Sequence, residues 1–247
     1  MCFHKSLNVT ASQLEERFEA TMPESSGFQP VYHANAYQFP TWPILTHQEP
    51  AQFQMLRWGL IPHWVKTQDD AMDIRSKTIN ARSETIYEKP SFRSVAQAGK
   101  RCLIPVTGFY EWHTIGSKKF PFYINAKDQK IASIAGLWDE WPDPDTGELI
   151  RSYTLMTTDA NPLLAAIHNS KKRMPCLLSP KAEQAWLHDD LSEKEVLQLL
   201  ASQYPASKMH SYSISKRITS RTEPNDVPEV LAPSNYAELS DKPQLFS

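Results

Sequence analysis

A cysteine stands second in the chain, behind the initiator methionine, and a residue that small permits removal of Met1. Removal would leave Cys2 with a free 1,2-aminothiol. Its amine, with a reference pKa of about 8, is partly neutral and nucleophilic near physiological pH, and its thiol titrates around 8.5. Facing an aldehyde, the amine can condense to an imine and the thiol can add to the same carbon. The product is a five-membered thiazolidine, more durable than an open Schiff base. The alternative is that Cys2 is an incidental second residue.

Three further segments carry usable chemistry. In Gly108-Phe-Tyr-Glu-Trp112 a carboxylate sits among aromatics, where desolvation would raise the pKa of Glu111 and suit it to general acid and base work. A paired structural glutamate is the other reading. His168 closes the apolar run Leu163 to His168 and leads into the basic turn Asn169-Ser-Lys-Lys-Arg173. It can shuttle protons, or simply cap a helix. In Ile79-Asn-Ala-Arg-Ser-Glu-Thr85 an amide and a guanidinium are two apart, on one side of the chain if it is extended. Asn80 could then orient reacting oxygens while Arg82 holds a phosphate, although a surface or capping role would suit both.

Several classes of function are excluded. The seven glycines include no pair spaced as in a Walker loop or G-x-G-x-x-G turn. There is no C-x-x-C, no H-E-x-x-H, and no histidine pair at helical ligand spacing, so no metal and no cofactor are expected. Three widely spaced cysteines fit a reducing compartment. With no signal-peptide pattern and no membrane-spanning run read in the sequence, a cytoplasmic location is expected. The net charge of −2 gives no global attraction to nucleic acid, so any such binding needs a local basic surface. Between Lys66 and Arg101 eight basic residues face five acidic ones, a local excess compatible with such a surface or with an ordinary solvated face.

The elements that must hold these groups are mostly strands. Aromatic and branched residues dominate Gln52 to Trp58, Arg101 to Trp112, Phe120 to Asn125, Ile131 to Trp138 and Tyr153 to Thr158. Glu24 to Pro50 reads as a long loop or short extended pieces. Helices are expected after Ser12, whose capping box would close on Glu15 and place Leu14, Phe18 and Met22 on one face. Others are expected after Asn161-Pro162, Ser179-Pro180 and Ser192, the last with Glu195 in a capping box. This is an α+β pattern: one domain over residues 1–225 with a mainly antiparallel β core and flanking helices, then a loosely ordered tail over 226–247.

Taken in order, Met1-Cys2, Trp58-Gly-Leu-Ile-Pro62 with Trp64, INAR at 79–82, GFYEW at 108–112, IH at 167–168 and RMP at 173–175 resemble the SOS response-associated peptidase (SRAP) family. The resemblance spans most of the chain. It implies a barrel-like β core, a groove for single-stranded DNA, and a thiazolidine bond from Cys2 to the ring-opened aldehyde of an abasic site, which would shield the lesion. By motif matching, Asn80 orients the reactants, Glu111 handles protons, and His168 assists sugar opening and crosslink reversal. Arg82 and Arg173 match phosphate contacts, and Trp64 a base-stacking position. The family usually begins Cys-Gly-Arg, whereas Phe3 and His4 follow Cys2 here, so His4 would replace the arginine with a pH-dependent contact. The partner implied is abasic single-stranded DNA, bound by a monomer associated with the nucleoid. Peptidase activity would amount to self-processing at Met1, alongside a lyase-like action on the lesion. Two other functions fit an exposed Cys2 or a basic groove: an N-terminal-nucleophile amidohydrolase, and a non-covalent reader of single-stranded or modified DNA.

Overall fold

The computed structural model describes residues 2–188 and 190–239. In chain order its strands are β1 (His4–Leu7), β2 (Val31–Asn35), β3 (Thr41–Thr46), β4 (Gln54–Trp58), β5 (Asn80–Arg82), β6 (Arg101–Val106) and β7 (Gly108–Ile115). They continue with β8 (Lys118–Ala126), β9 (Ala132–Pro142), β10 (Leu149–Asp159), β11 (Arg173–Pro175), β12 (Leu177–Leu178) and β13 (Met209–Ser213). The helices are α1 (Ala11–Phe18), α2 (Gln68–Lys77), α3 (Pro90–Gln97), α4 (Pro162–Ile167), α5 (Pro180–His188) and α6 (Glu193–Ala201).

Strands β10, β4, β3, β6 and β9 close on one another into a five-stranded barrel, antiparallel except where β4 runs parallel to β10. Closure removes the exposed edges that an open sheet would present. β10 outruns the barrel and takes on β5 and β11 beyond it. A second sheet, in the order β13-β8-β7-β1-β2, carries the N-terminal strand between β7 and β2. The expected α+β class, with a mainly antiparallel barrel core and flanking helices in one compact domain, is what the chain forms. No helix among the described residues is long and apolar enough to cross a membrane.

The two sheets are joined through an unusual side chain. Lys5, on β1, is wholly buried, with Nζ 4.0 Å from the ring centres of both Trp42 and Trp58 and bonded to the Tyr153 hydroxyl. Those three rings belong to β3, β4 and β10, so a lysine from the second sheet is caged by aromatic faces of the barrel. Trp58 Nε1 in turn donates to the carbonyl of Ile79, 2.9 Å away and just ahead of Asn80.

Local signals explain where several elements begin. α4 has Asn161 as N-cap and Pro162 at its first position, and α6 has the Ser192–Glu195 capping box. The first helix differs: its capping box is Thr10 with Gln13, and it ends at Phe18, so Met22 lies outside it. Glu15 instead accepts from the Met22 backbone N–H at 2.8 Å. The stretch over 24–50, expected as a long loop or short extended pieces, contains the strands β2 and β3, and the strand-like run over 101–112 forms two strands. Thr107 N–H donates to Ser6 O at 2.9 Å, and from Gly108 the chain leaves the barrel for the second sheet. Gly108 is required there, because a Cβ would lie 2.4 Å from the Tyr123 ring.

Residues 226–239, expected to be loosely ordered, run along the second sheet. Asp226 accepts from the N–H groups of Tyr32 and His33, and Val230 and Leu239 are buried. Residues 240–247 of that expected tail lie outside the described residues.

Candidate active site

Pairing of Lys5 with Phe109 and Ser6 with Gly108, in antiparallel sense, carries the chain from β1 back along β7 so that Cys2 approaches Glu111. Both side chains are buried. The Cys2 thiol donates to the His4 carbonyl at 3.4 Å, and burial, reinforced by the negative charge of Glu111, pushes its pKa up to about 12. Burial likewise raises Glu111 to about 8. The thiol is therefore protonated at neutral pH, beside a carboxyl group poised to exchange protons there.

His168 is the C-cap of α4, and two latches fix it against β7. His113, on β7, bonds through Nδ1 to the carbonyl of Ala166 at 2.9 Å, while Asn169 exchanges two hydrogen bonds with the Thr114 backbone. His168 Nδ1 consequently lies 3.8 Å from Glu111 Oε2 and 3.1 Å from the carbonyl of Arg173. Burial lowers its pKa and favours the neutral ring. Bonding of Nδ1–H to a carbonyl leaves Nε2 as the basic nitrogen.

Glu111 and His168 open into a cleft of about 390 Å³ whose walls also include Phe3, His4, Trp112, Lys119 and Lys171. Lys119 and Lys171 are exposed and form no ion pair among the described residues. Glu111 is the cleft's only lining carboxylate among the described residues. The sequence offered a trace of both lysines, in the doublet Lys118-Lys119 and in the basic turn after His168, without showing that they share a wall.

The other expected site residues are distributed. Asn80 begins β5, aligned with Leu155 of β10, and both polar atoms of its amide are buried without a hydrogen-bond partner among the described residues. An amide so placed is short of the bonds that buried polar groups ordinarily make. Arg82, two residues on, is exposed. Trp64 is 46% exposed and lines a separate cleft of about 550 Å³ with Lys66, Ile74 and Lys77.

Two of the expected DNA-contact residues have other partners in this structure. Arg173 is buried, its guanidinium bonded to Glu84, to Asp159 at 2.7 Å and to the Thr157 carbonyl at 2.7 Å. Two carboxylates neutralise it there, and it braces the turn after β5. His4 bonds through Nδ1 to His33 Nε2 at 2.8 Å, and burial together with that neighbour lowers its pKa to about 3. It is neutral at neutral pH and does not replace an arginine's charge.

The sequence profile described as SOS response associated peptidase (SRAP) matches residues 1–221. The chain belongs to this family. It is 37% identical over 237 residues to the abasic site processing protein YoqW of Bacillus subtilis (strain 168), covering 94% of this chain and 99% of that one. It is 33% identical over 238 residues to the abasic site processing protein YoaM of the same organism, covering 96% and 100%. Among solved structures, a protein from Bacteroides thetaiotaomicron superposes with a TM-score of 0.89 at 38% identity, covering 95% of this chain and all of that one. In this SRAP chain the motif residues Glu111 and His168 share the cleft that Cys2 approaches, whereas Trp64 lines another. Among the described residues no group of three or more His, Cys, Asp or Glu side chains is placed to hold a metal ion.

Proposed function

We propose that this SRAP protein binds single-stranded DNA at abasic sites and bonds to them through Cys2. The observation that carries the reading is a carboxyl group with a pKa of about 8 and a neutral histidine lining one cleft, with the buried Cys2 behind it and near enough to Glu111 to feel its charge. The names of the YoqW and YoaM relatives support the same lesion as substrate. Hydrolysis of the Met1–Cys2 amide consumes one water and frees the Cys2 amine. An abasic deoxyribose opens from its hemiacetal to an aldehyde, with Glu111 and His168 as proton donor and acceptor. The amine adds to the aldehyde carbon, and water leaves with the proton that His168 accepted on ring opening, giving an iminium. The thiol sulfur then adds to that carbon and surrenders its proton to the Glu111 carboxylate, closing the thiazolidine. The net change from aldehyde and aminothiol is loss of one water.

Lys119, Lys171 and Arg82 supply charge for the DNA backbone, and the buried Asn80 amide orients oxygens of the reacting sugar. The closed ring shields the lesion, and the same proton transfers run backwards release it.

The test is gel mobility after heating in denaturant. Wild-type protein mixed with abasic single-stranded DNA is expected to show a retained DNA–protein band that Cys2→Ala lacks and Cys2→Ser forms only in labile form. A retained band of undiminished intensity from Cys2→Ala would rule out the mechanism.

A further inference from the structure

Phe3 and Tyr37 form a pair that the proposed chemistry does not use. Their ring centroids are 5.2 Å apart with 31° between the planes, and the Tyr37 ring projects from the surface at 56% exposure. Phe3 follows Cys2 and lines the cleft holding Glu111 and His168. The pair is held from both sides. The Phe3 carbonyl accepts from Ala36 N–H at 2.8 Å, and Asn35 Oδ1 accepts from Tyr37 N–H at 3.1 Å. Phe39, at φ 49°, then ends the short helical turn. An exposed tyrosine anchored at its own backbone and resting on a second ring is ordered before anything binds, so little side-chain freedom remains to be lost on binding.

We infer that Phe3 and Tyr37 are a stacking shelf for the unpaired nucleobase next to the lesion. The inference rests on reading the cleft as the abasic site's position. An abasic nucleotide has no base of its own to stack, so affinity and register must come from its neighbours. A flat ring beside Cys2 offers a sequence-tolerant grip on the adjoining base. The cleft's charges favour this occupant over an apolar peptide side chain. Lys119 and Lys171 suit phosphates, and the cleft's one carboxylate among the described residues, Glu111, is neutral below about pH 8. On the same cleft Trp112 stands edge-on to His4 at 4.7 Å. The expected consequence is specificity for a base beside the lesion, stronger for the larger purine faces.

The experiment uses single strands carrying a tetrahydrofuran abasic analogue, which cannot open to an aldehyde, with 2-aminopurine on one side or the other. Wild-type protein is expected to quench the fluorophore on one side. Tyr37→Ala should lose the quenching and bind about 5- to 150-fold more weakly, and Tyr37→Phe should restore both. When tetrahydrofuran residues also flank the lesion on both sides, no base remains to stack, and wild type and Tyr37→Ala should bind alike. Absence of quenching by wild type, unchanged quenching by Tyr37→Ala, or equal weakening on both DNAs would overturn the shelf. A parallel assay with aldehyde-bearing abasic DNA scores the covalent product. No adduct with quenching intact defeats the crosslinking reading alone, and an adduct without quenching defeats the shelf alone.

Discussion

Glu111 Oε2 lies 3.8 Å from His168 Nδ1, and the two groups are tuned in opposite directions by the same burial. Desolvation keeps the carboxyl protonated up to about pH 8 and keeps the imidazole unprotonated below its ordinary range. At neutral pH both groups are neutral: Glu111 holds a proton to donate, and His168 accepts at Nε2, because the Nδ1 nearest Glu111 already carries the proton bonded to the Arg173 carbonyl. One partner can donate and the other accept without an intervening change in solvent.

Glu111→Gln should separate function from stability. In wild type the folded state holds a proton that the unfolded chain releases between pH 4.5 and about 8. Stability therefore declines as pH rises through that window and the buried group ionises. The glutamine variant should be the more stable protein at pH 8, by up to a few kcal/mol, with its advantage shrinking towards pH 4.5. Its crosslinking should be slower and should lose the inflection near pH 8. Thermal melts and adduct time courses across pH measure the two effects.

His168→Ala is expected to slow both formation and release of the adduct while leaving affinity for a non-opening abasic analogue largely intact. Release is read by chasing a preformed adduct with excess unlabelled abasic DNA. Wild-type rates in both directions would make His168 a cap and nothing more.

The two arginines should behave differently. Arg173→Ala removes bonds to two carboxylates that are exposed enough to regain water, together with the bond to the Thr157 carbonyl, and is expected to cost about 1–3 kcal/mol in chemical denaturation. Arg82→Ala should leave stability near wild type, weaken single-strand binding regardless of sequence, and lower the salt slope by about one. Lys119→Gln and Lys171→Gln should act like Arg82→Ala.

Trp64→Ala tests whether the second cleft engages DNA. Loss of about 1–3 kcal/mol of single-strand affinity is expected if a base stacks on the exposed indole. Unchanged affinity would confine the DNA to the Glu111 cleft.

Legibility followed the range of the interactions. Asn161-Pro162 and Ser192 announced their helices because a cap acts within three residues. Ser12 was expected to cap the first helix, but Thr10, two residues earlier, does so through its hydrogen bonds with Gln13. β3 was hidden by Pro43 and by burial of nearly every residue, which erases the alternation that marks a half-exposed strand. Desolvation of Glu111 was visible in its aromatic neighbours. Pairing of Arg173 with Glu84 was not, because the two are 89 positions apart and meet only when β5 and β11 both join β10. The lysine cage was equally invisible, since Lys5 draws its rings from three different strands.

The central claim is tested most directly by intact mass after incubation with abasic single-stranded DNA, measured following heat and denaturant without added reductant. The account predicts a species equal to the protein lacking Met1 plus the oligonucleotide, less one water. Cys2→Ala and a form with Met1 retained should each give only the unmodified masses. An equally stable adduct from either variant, or none from wild type on an aldehyde-bearing strand, would contradict it.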